Sequence, residues 1–206
     1  MCQSVEGSVF RPLNENWPVL PEPRRKAILF ISEAPPPDGG FWTIQPWQVK
    51  QDDLREKLLR LLTVSSSGAD RGLTAFCDSG YYLLQSFPRP LKISIAGIRC
   101  EDLKVLLGHP VKTHLRDQIA FLQPSAILAL GVAASTAVSM RWPDSEFARA
   151  FEGGARKLQV VRGKTFEESQ LPMLSATYLP SGNGGRWQKF WGKDIPLFVE
   201  TARSRA

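Results

Sequence analysis

Short unbroken apolar runs alternate with segments of helical periodicity along this chain, and few folds accept that pattern. Ala27-Ile28-Leu29-Phe30-Ile31 is apolar at every position, as expected of a strand covered on both faces. Gly80 to Phe87, Ser125 to Leu130 and residues 173–178 read as three more strands. Between the first two, leucines at 54, 58, 61 and 62 mark one face of a helix within 51–63. Asp52 and Asp53 stand at its first turn, where the helix dipole favours them. Residues 101–107 predict a short amphipathic helix closed by Gly108-His109-Pro110. Val111, Leu115, Ile119 and Leu122 share a face of the next helix, which Gln123-Pro124 ends. Gly131 opens a helix of small residues to about Met140. A closing helix over roughly 186–203 is expected to break or bend near Pro196. Residues 143–170 are polar and contain glycine, with room for one edge strand at 158–161. The alternation predicts an α/β fold: a three-layer α/β/α sandwich with a central, mostly parallel four-stranded sheet and right-handed crossovers. No linker divides the chain, so 1–206 reads as a single domain, with 1–25 as an irregular proline-containing arm.

Composition narrows the classes. The 206 residues suffice for one core. A net charge of +6 leans toward a polyanionic partner without requiring one. The three cysteines, Cys2, Cys77 and Cys100, form no C-x-x-C pair, which argues against a zinc ribbon or a four-cysteine iron–sulfur site. No metal and no cofactor are expected. There is no secretory signal pattern and no apolar stretch of membrane-spanning length. The expectation is a cytoplasmic protein (nucleoid-associated in a prokaryote), not membrane-bound, and a monomer. Phosphate-loop, dinucleotide-binding and nucleophile-elbow motifs are absent. His109, in a Gly-His-Pro turn, and His114, beside Arg116 and Asp117, read as surface residues rather than catalysts.

Two loops stand out, each following a strand at the edge where open α/β sheets bind ligands. The first is Ser32-Glu33-Ala34-Pro35-Pro36-Pro37-Asp38-Gly39-Gly40-Phe41-Trp42. Three prolines stiffen the turn, two glycines permit close backbone approach, and Glu33 and Asp38 supply the only carboxylates. Such a loop suits a flat polar ring; the bland alternative is a structural turn whose Phe41 and Trp42 pack in the core. The second is Pro180-Ser181-Gly182-Asn183-Gly184-Gly185, running into Arg186-Trp187-Gln188-Lys189-Phe190-Trp191. Its hydroxyl and glycine backbone can hold a phosphate at a helix N-terminus. Arg186 and Lys189, interleaved with aromatics, fit contact with a nucleic-acid backbone. Trp187 and Trp191, four apart, place at least one ring on a core-facing stripe.

The order of these segments resembles the uracil-DNA glycosylase superfamily over most of 27–192. Ser32-Glu33-Ala34-Pro35 is similar to its first motif, closest to the G-E-A-P-G version of the iron–sulfur branch. Gly80-Tyr81-Tyr82-Leu83-Leu84-Gln85 resembles its second strand, with Gln85 where the family has a base-reading asparagine. His114-Leu115-Arg116-Asp117-Gln118-Ile119 through Pro124 to Gly131 resembles its helix, proline, strand and L-G ending. Leu179-Pro180-Ser181-Gly182 falls on its H-P-S-P motif. The chain departs from the family at Leu179, which replaces the histidine that stabilises the departing base. It departs again at Ala34, which holds the place of the best-known branch's water-activating acid, and in lacking the cluster cysteines.

The resemblance implies that a damaged or mismatched base in DNA is flipped out and excised. Phe41 would stack on it, Gln85 would read its edge, and Ala34 and Leu179 would border the pocket. Glu33, preferred by motif position, or Asp38 would position water and stabilise the developing positive charge. Ser181 and Gly182 would clamp flanking phosphates. The loop from Asn183 through Gly184 to Arg186 would enter the minor groove, and Lys189 would contact the backbone. Ala34 and Leu179 also support an alternative, a module of the same fold that binds damaged or single-stranded DNA without breaking the bond. An unrelated α/β hydrolase acting on a small nucleotide is the third reading.

Overall fold

The computed structural model describes residues 27–34, 54–65, 72–88, 91, 98–152, 166–168, 171–176 and 186–204. The strands are β1 (Ile28–Ser32), β2 (Tyr81–Gln85), β3 (Ala126–Leu130), β4 (Phe166–Glu168) and β5 (Leu171–Ala176). They form one sheet in the order β2-β1-β3-β5-β4. The first four of these are parallel and are the four strands expected. The three-residue β4 adds an antiparallel edge beside β5. Residues 158–161, the expected edge strand, lie outside the described residues.

Strict alternation along the strands sends side chains to two separate cores. One face carries Leu29, Ile31, Tyr82, Leu84, Ile127, Ala129 and Met173. It is covered by α3 (Cys100–Pro110), a π turn (Val111–Leu115), α4 (Arg116–Leu122), α5 (Val132–Arg141) and α6 (Glu146–Glu152). The other carries Ile28, Phe30, Tyr81, Leu83, Leu128, Leu130 and Leu174. It is covered by α1 (Leu54–Leu61), α2 (Leu73–Asp78) and α7 (Arg186–Ser204). The three layers follow directly. Trp191 is 2% exposed and belongs to the second core, so the aromatic stripe of α7 is structural at that position.

Four elements differ from the sequence reading. Helix α3 does not stop at Gly108-His109-Pro110 but runs on through Pro110 into the π turn and α4. Pro110 has no N–H to offer and crowds the carbonyl one turn back. The widened turn that follows absorbs the fault, and the Thr113 hydroxyl donates to the His109 carbonyl at 3.0 Å. Helix α7 is not broken at Pro196 but runs on through it, because Trp191 and Ile195 before it and Phe198, Val199 and Ala202 after it pack on the same core. Helix α2 lies just before β2, where the sequence reading has no element, its Phe76 buried against Phe30 and Tyr81. Helix α6 replaces part of a segment read as polar and irregular. Ser145 starts it by accepting the Ala148 N–H at 2.9 Å, and Phe147 and Ala148 enter the core.

Candidate functional site

Four parallel strands bring four C-terminal ends to one edge. After β1 the chain leaves to α1 and α2 on one face; after β3 it leaves to α5 on the other. Since β1 and β3 are neighbours, their C-terminal ends form a topological switch point, the crevice where open α/β sheets take ligands.

Glu33 stands in that crevice. It follows β1 directly, and its side chain lies against Gly131, the residue after β3. A Cβ added at Gly131 would come within 3.0 Å of Glu33 Oε1, 3.4 Å of Cγ and 3.5 Å of Cδ. Gly131 also has φ 94° and ψ 176°, a backbone state open essentially to glycine alone. Two independent demands therefore fall on one position. The Gly131 carbonyl accepts the Ser135 N–H at 3.0 Å and so begins α5. Burial pushes the Glu33 carboxyl above the ordinary carboxylate range, because the crevice disfavours the charged form.

The main chain around Glu33 is pinned. The Ser32 carbonyl accepts both the Ser86 N–H at 2.8 Å and the Ser86 hydroxyl at 2.7 Å. The Glu33 carbonyl accepts the Phe87 N–H at 3.2 Å. These bonds extend the β1–β2 ladder past both strands. Gln85 ends β2 directly opposite Ser32. A carboxylate from one strand and an amide from its neighbour thus reach the same edge although 52 residues separate them in sequence. On the far side of β3, the Ser135 and Ser175 hydroxyls share a buried 2.7 Å hydrogen bond that ties the first turn of α5 to β5.

Of the residues singled out from sequence, Glu33, Ala34 and Gln85 lie along this edge of the sheet. Ala34 packs against the first apolar core. Arg186 and Lys189 fall in the opening turns of α7. Asp38, Phe41, Leu179, Ser181, Gly182, Asn183 and Gly184 lie outside the described residues. His114 corrects the sequence reading: it is not a surface residue but a partly buried one. Burial pushes its imidazole below the ordinary range, while the Gln85 backbone and the Asp117 charge pull it back up. The clue was present in the spacing, since His114 is three residues past Val111 and so flanks the buried face.

No group of three His, Cys, Asp or Glu side chains that could hold a metal forms among the described residues. No helix among them is long and apolar enough to cross a membrane. A comparison with models of known families matched none, and a comparison with curated proteins found no significant match.

Proposed function

We propose that this chain is a monofunctional DNA glycosylase that hydrolyses the N-glycosidic bond of a flipped-out damaged base, uracil or another deaminated base. The observation that carries the reading is the Glu33 carboxyl at the β1–β3 switch point, one strand away from the Gln85 amide. Base excision needs that pair of functions. A carboxylate must hold the attacking water and balance the oxocarbenium-like sugar as the base leaves. A group that both donates and accepts must read adjacent C=O and N–H groups on the base edge, as a glutamine amide can. Water adds to the sugar carbon, the C–N bond breaks, and the base departs with the bonding pair. The resemblance of the loop sequences adds Phe41 as the stacking ring and the segment from Ser181 to Lys189 as the grip on DNA.

The partly buried Glu33 carboxyl must ionise to do this work, so activity rises with pH through a range above the ordinary carboxylate value. The competing reading is a domain of the same fold that binds damaged or single-stranded DNA without cutting. It is favoured by Ala34, whose methyl group packs into the apolar core and offers no chemistry.

One experiment separates the two. The protein is incubated with oligonucleotides bearing uracil, hypoxanthine, xanthine or mismatched thymine, then treated with alkali to reveal abasic sites. Cleavage that Glu33→Gln abolishes supports the glycosylase reading. A mobility shift without abasic sites supports the binding module. Full excision by both Glu33→Gln and Asp38→Asn would remove the carboxylate assignment.

A further inference from the structure

Helix α7 crosses the second face of the sheet from one edge to the other. Its last turn is fastened at the N-terminal edge. There Arg203 donates to the Ser79 carbonyl at 2.7 Å, and its Cζ lies 4.6 Å from the centre of the ring of Tyr81, the first residue of β2. Lys193 stands ten residues earlier, about 15 Å back along the helix axis. Tyr81 and Gln85, the two ends of β2, are about 13 Å apart. Helix α7 has therefore reached the C-terminal edge of the sheet, the edge of Glu33 and Gln85, by Lys193. Its earlier turns lead back through residues 177–185 to the end of β5.

The helical period sorts the residues of α7 into lines. Trp191, Ile195, Phe198 and Ala202 make the line that enters the core. The opposite line carries positions 186, 189, 193, 197 and 200. Lys193 and Glu200 are exposed and Leu197 is 57% exposed, so this line faces solvent. From the C-terminal edge it runs Arg186, Lys189, Lys193, Leu197, Glu200: three cations, an apolar residue, then an acid. Asp194 does not interrupt them, because the next residue of a helix is turned by about 100° and Asp194 is half-buried.

Helix stability does not account for this order. The dipole favours acids at the N-terminus of a helix and cations at its C-terminus. The outward line has the reverse, and no acid stands in the first turn. Charges that only solvate a helix alternate in sign. Here the cations are gathered at the end of α7 that adjoins the candidate site.

The inference rests on the DNA binding of the proposed function, which the cutting and non-cutting readings share. We propose that the outward line of α7 is a track for the DNA phosphate backbone, that Lys193 is its third contact, and that the track ends before Leu197. Positions 186 to 193 span about 10 Å of helix, enough to follow one strand past several phosphates, which rise about 3.4 Å each along the duplex axis. Arg203 has no part in the track, being engaged with Ser79 and Tyr81 at the far edge.

The test is the salt dependence of binding to an undamaged, fluorescein-labelled duplex, followed by anisotropy. Such binding is almost wholly phosphate contact and leaves excision out of the measurement. Each contact contributes about 0.9 to the slope of log K against log salt, and Lys193→Ala should lower the slope by that amount. Between about 50 and 200 mM salt the wild type should then lose about 3.5-fold more affinity than the variant. Arg149→Ala removes the same charge from α6, on the opposite face of the sheet, where Arg149 is exposed and donates to the Asp144 carbonyl. It should leave the slope unchanged, as should Glu200→Gln, beyond the end of the track. Equal falls in Lys193→Ala and Arg149→Ala would mean that only net charge matters, and no fall in Lys193→Ala would mean no contact; each overturns the track. A wild type that binds no duplex overturns the track and the DNA reading together. Abasic sites formed in the uracil oligonucleotide, with an unaltered slope in Lys193→Ala, would leave the glycosylase reading standing and remove the track alone.

Discussion

Gly131→Ala tests the geometry of the site most directly. At φ 94° and ψ 176° a side chain is admitted only with backbone strain of about 1–3 kcal/mol. The new methyl group would also sit 3.0 Å from Glu33 Oε1, so the glutamate must move by a few tenths of an ångström away from its present rotamer. That displacement adds about 0.5–1.5 kcal/mol. A total of about 1.5–4.5 kcal/mol lowers Tm by roughly 3–18 °C for a chain of this size, at about 2–4 °C per kcal/mol. Thermal unfolding followed by circular dichroism measures the loss. Repeating the substitution in a Glu33→Ala background separates its two parts, because only the backbone strain survives there. The cost should fall by about 0.5–1.5 kcal/mol between the two backgrounds. Excision by Gly131→Ala, assayed well below its Tm, should fall further than the folded fraction does, since the carboxylate has moved. A loss below about 0.5 kcal/mol would refute the glycine-only backbone at the end of β3. Equal losses in both backgrounds would refute the contact between Gly131 and Glu33.

Three further outcomes are expected. Folded Glu33 keeps its proton to higher pH than the unfolded chain, so from about pH 4.3 up to its folded value stability falls as pH rises. Folded His114 gives up its proton more readily, so stability falls as pH drops from about 6.5 toward its folded value. Urea midpoints across pH 4–8 should lose the first slope in Glu33→Gln and the second in His114→Asn; unchanged slopes would contradict the burial of these groups. Trp191→Ala should cost about 3–5 kcal/mol in thermal unfolding, whereas Leu197→Ala, at a position 57% exposed, should cost under about 0.5 kcal/mol; similar values for both would contradict the packing of α7. Ser175→Ala leaves the buried Ser135 hydroxyl without its partner and should cost about 1–3 kcal/mol. The double alanine variant should recover part of this in chemical denaturation, and full additivity would show that the two hydroxyls do not interact.

The central strands were legible because burial on both faces writes itself as an unbroken apolar run, as in 27–31 and 126–130. Gln123-Pro124 marked the end of α4 correctly, since Gln123 adopts the left-handed conformation that closes a helix. Local rules failed where tertiary packing outweighs them. Pro110 and Pro196 stay inside helices because buried residues on both sides hold the axis. Helix α2 has six residues, too few to show a period. Helix α6 did carry a signal, Ser145 ahead of Phe147 and Ala148, which its polar surroundings obscured. In the site, Glu33 was legible as the residue following an apolar strand. Its meeting with Gly131 was not, because strand order is not written in any one segment. His114 was misread because its flanking position on the helical face counted for less than its polar neighbours Arg116 and Asp117.

The two cores have different histories along the chain. Every helix on the α3–α6 side precedes β5, so that half can close as soon as the sheet is assembled. The other half is begun by α1 and α2 but waits for α7, which supplies Trp191, Ile195, Phe198, Val199 and Ala202. During synthesis, Ile28, Phe30, Leu128 and Leu130 therefore remain partly uncovered until nearly two hundred residues have emerged. A ribosome stalled between β5 and α7 would hold a sticky, half-clad sheet, the kind of species that chaperones capture and that aggregates when they do not. Residues 177–185 join β5 to the helix that arrives last, so the DNA grip proposed for this stretch cannot be set before the domain is whole. A chain completed in this order has no half-built form that could do the work proposed for it.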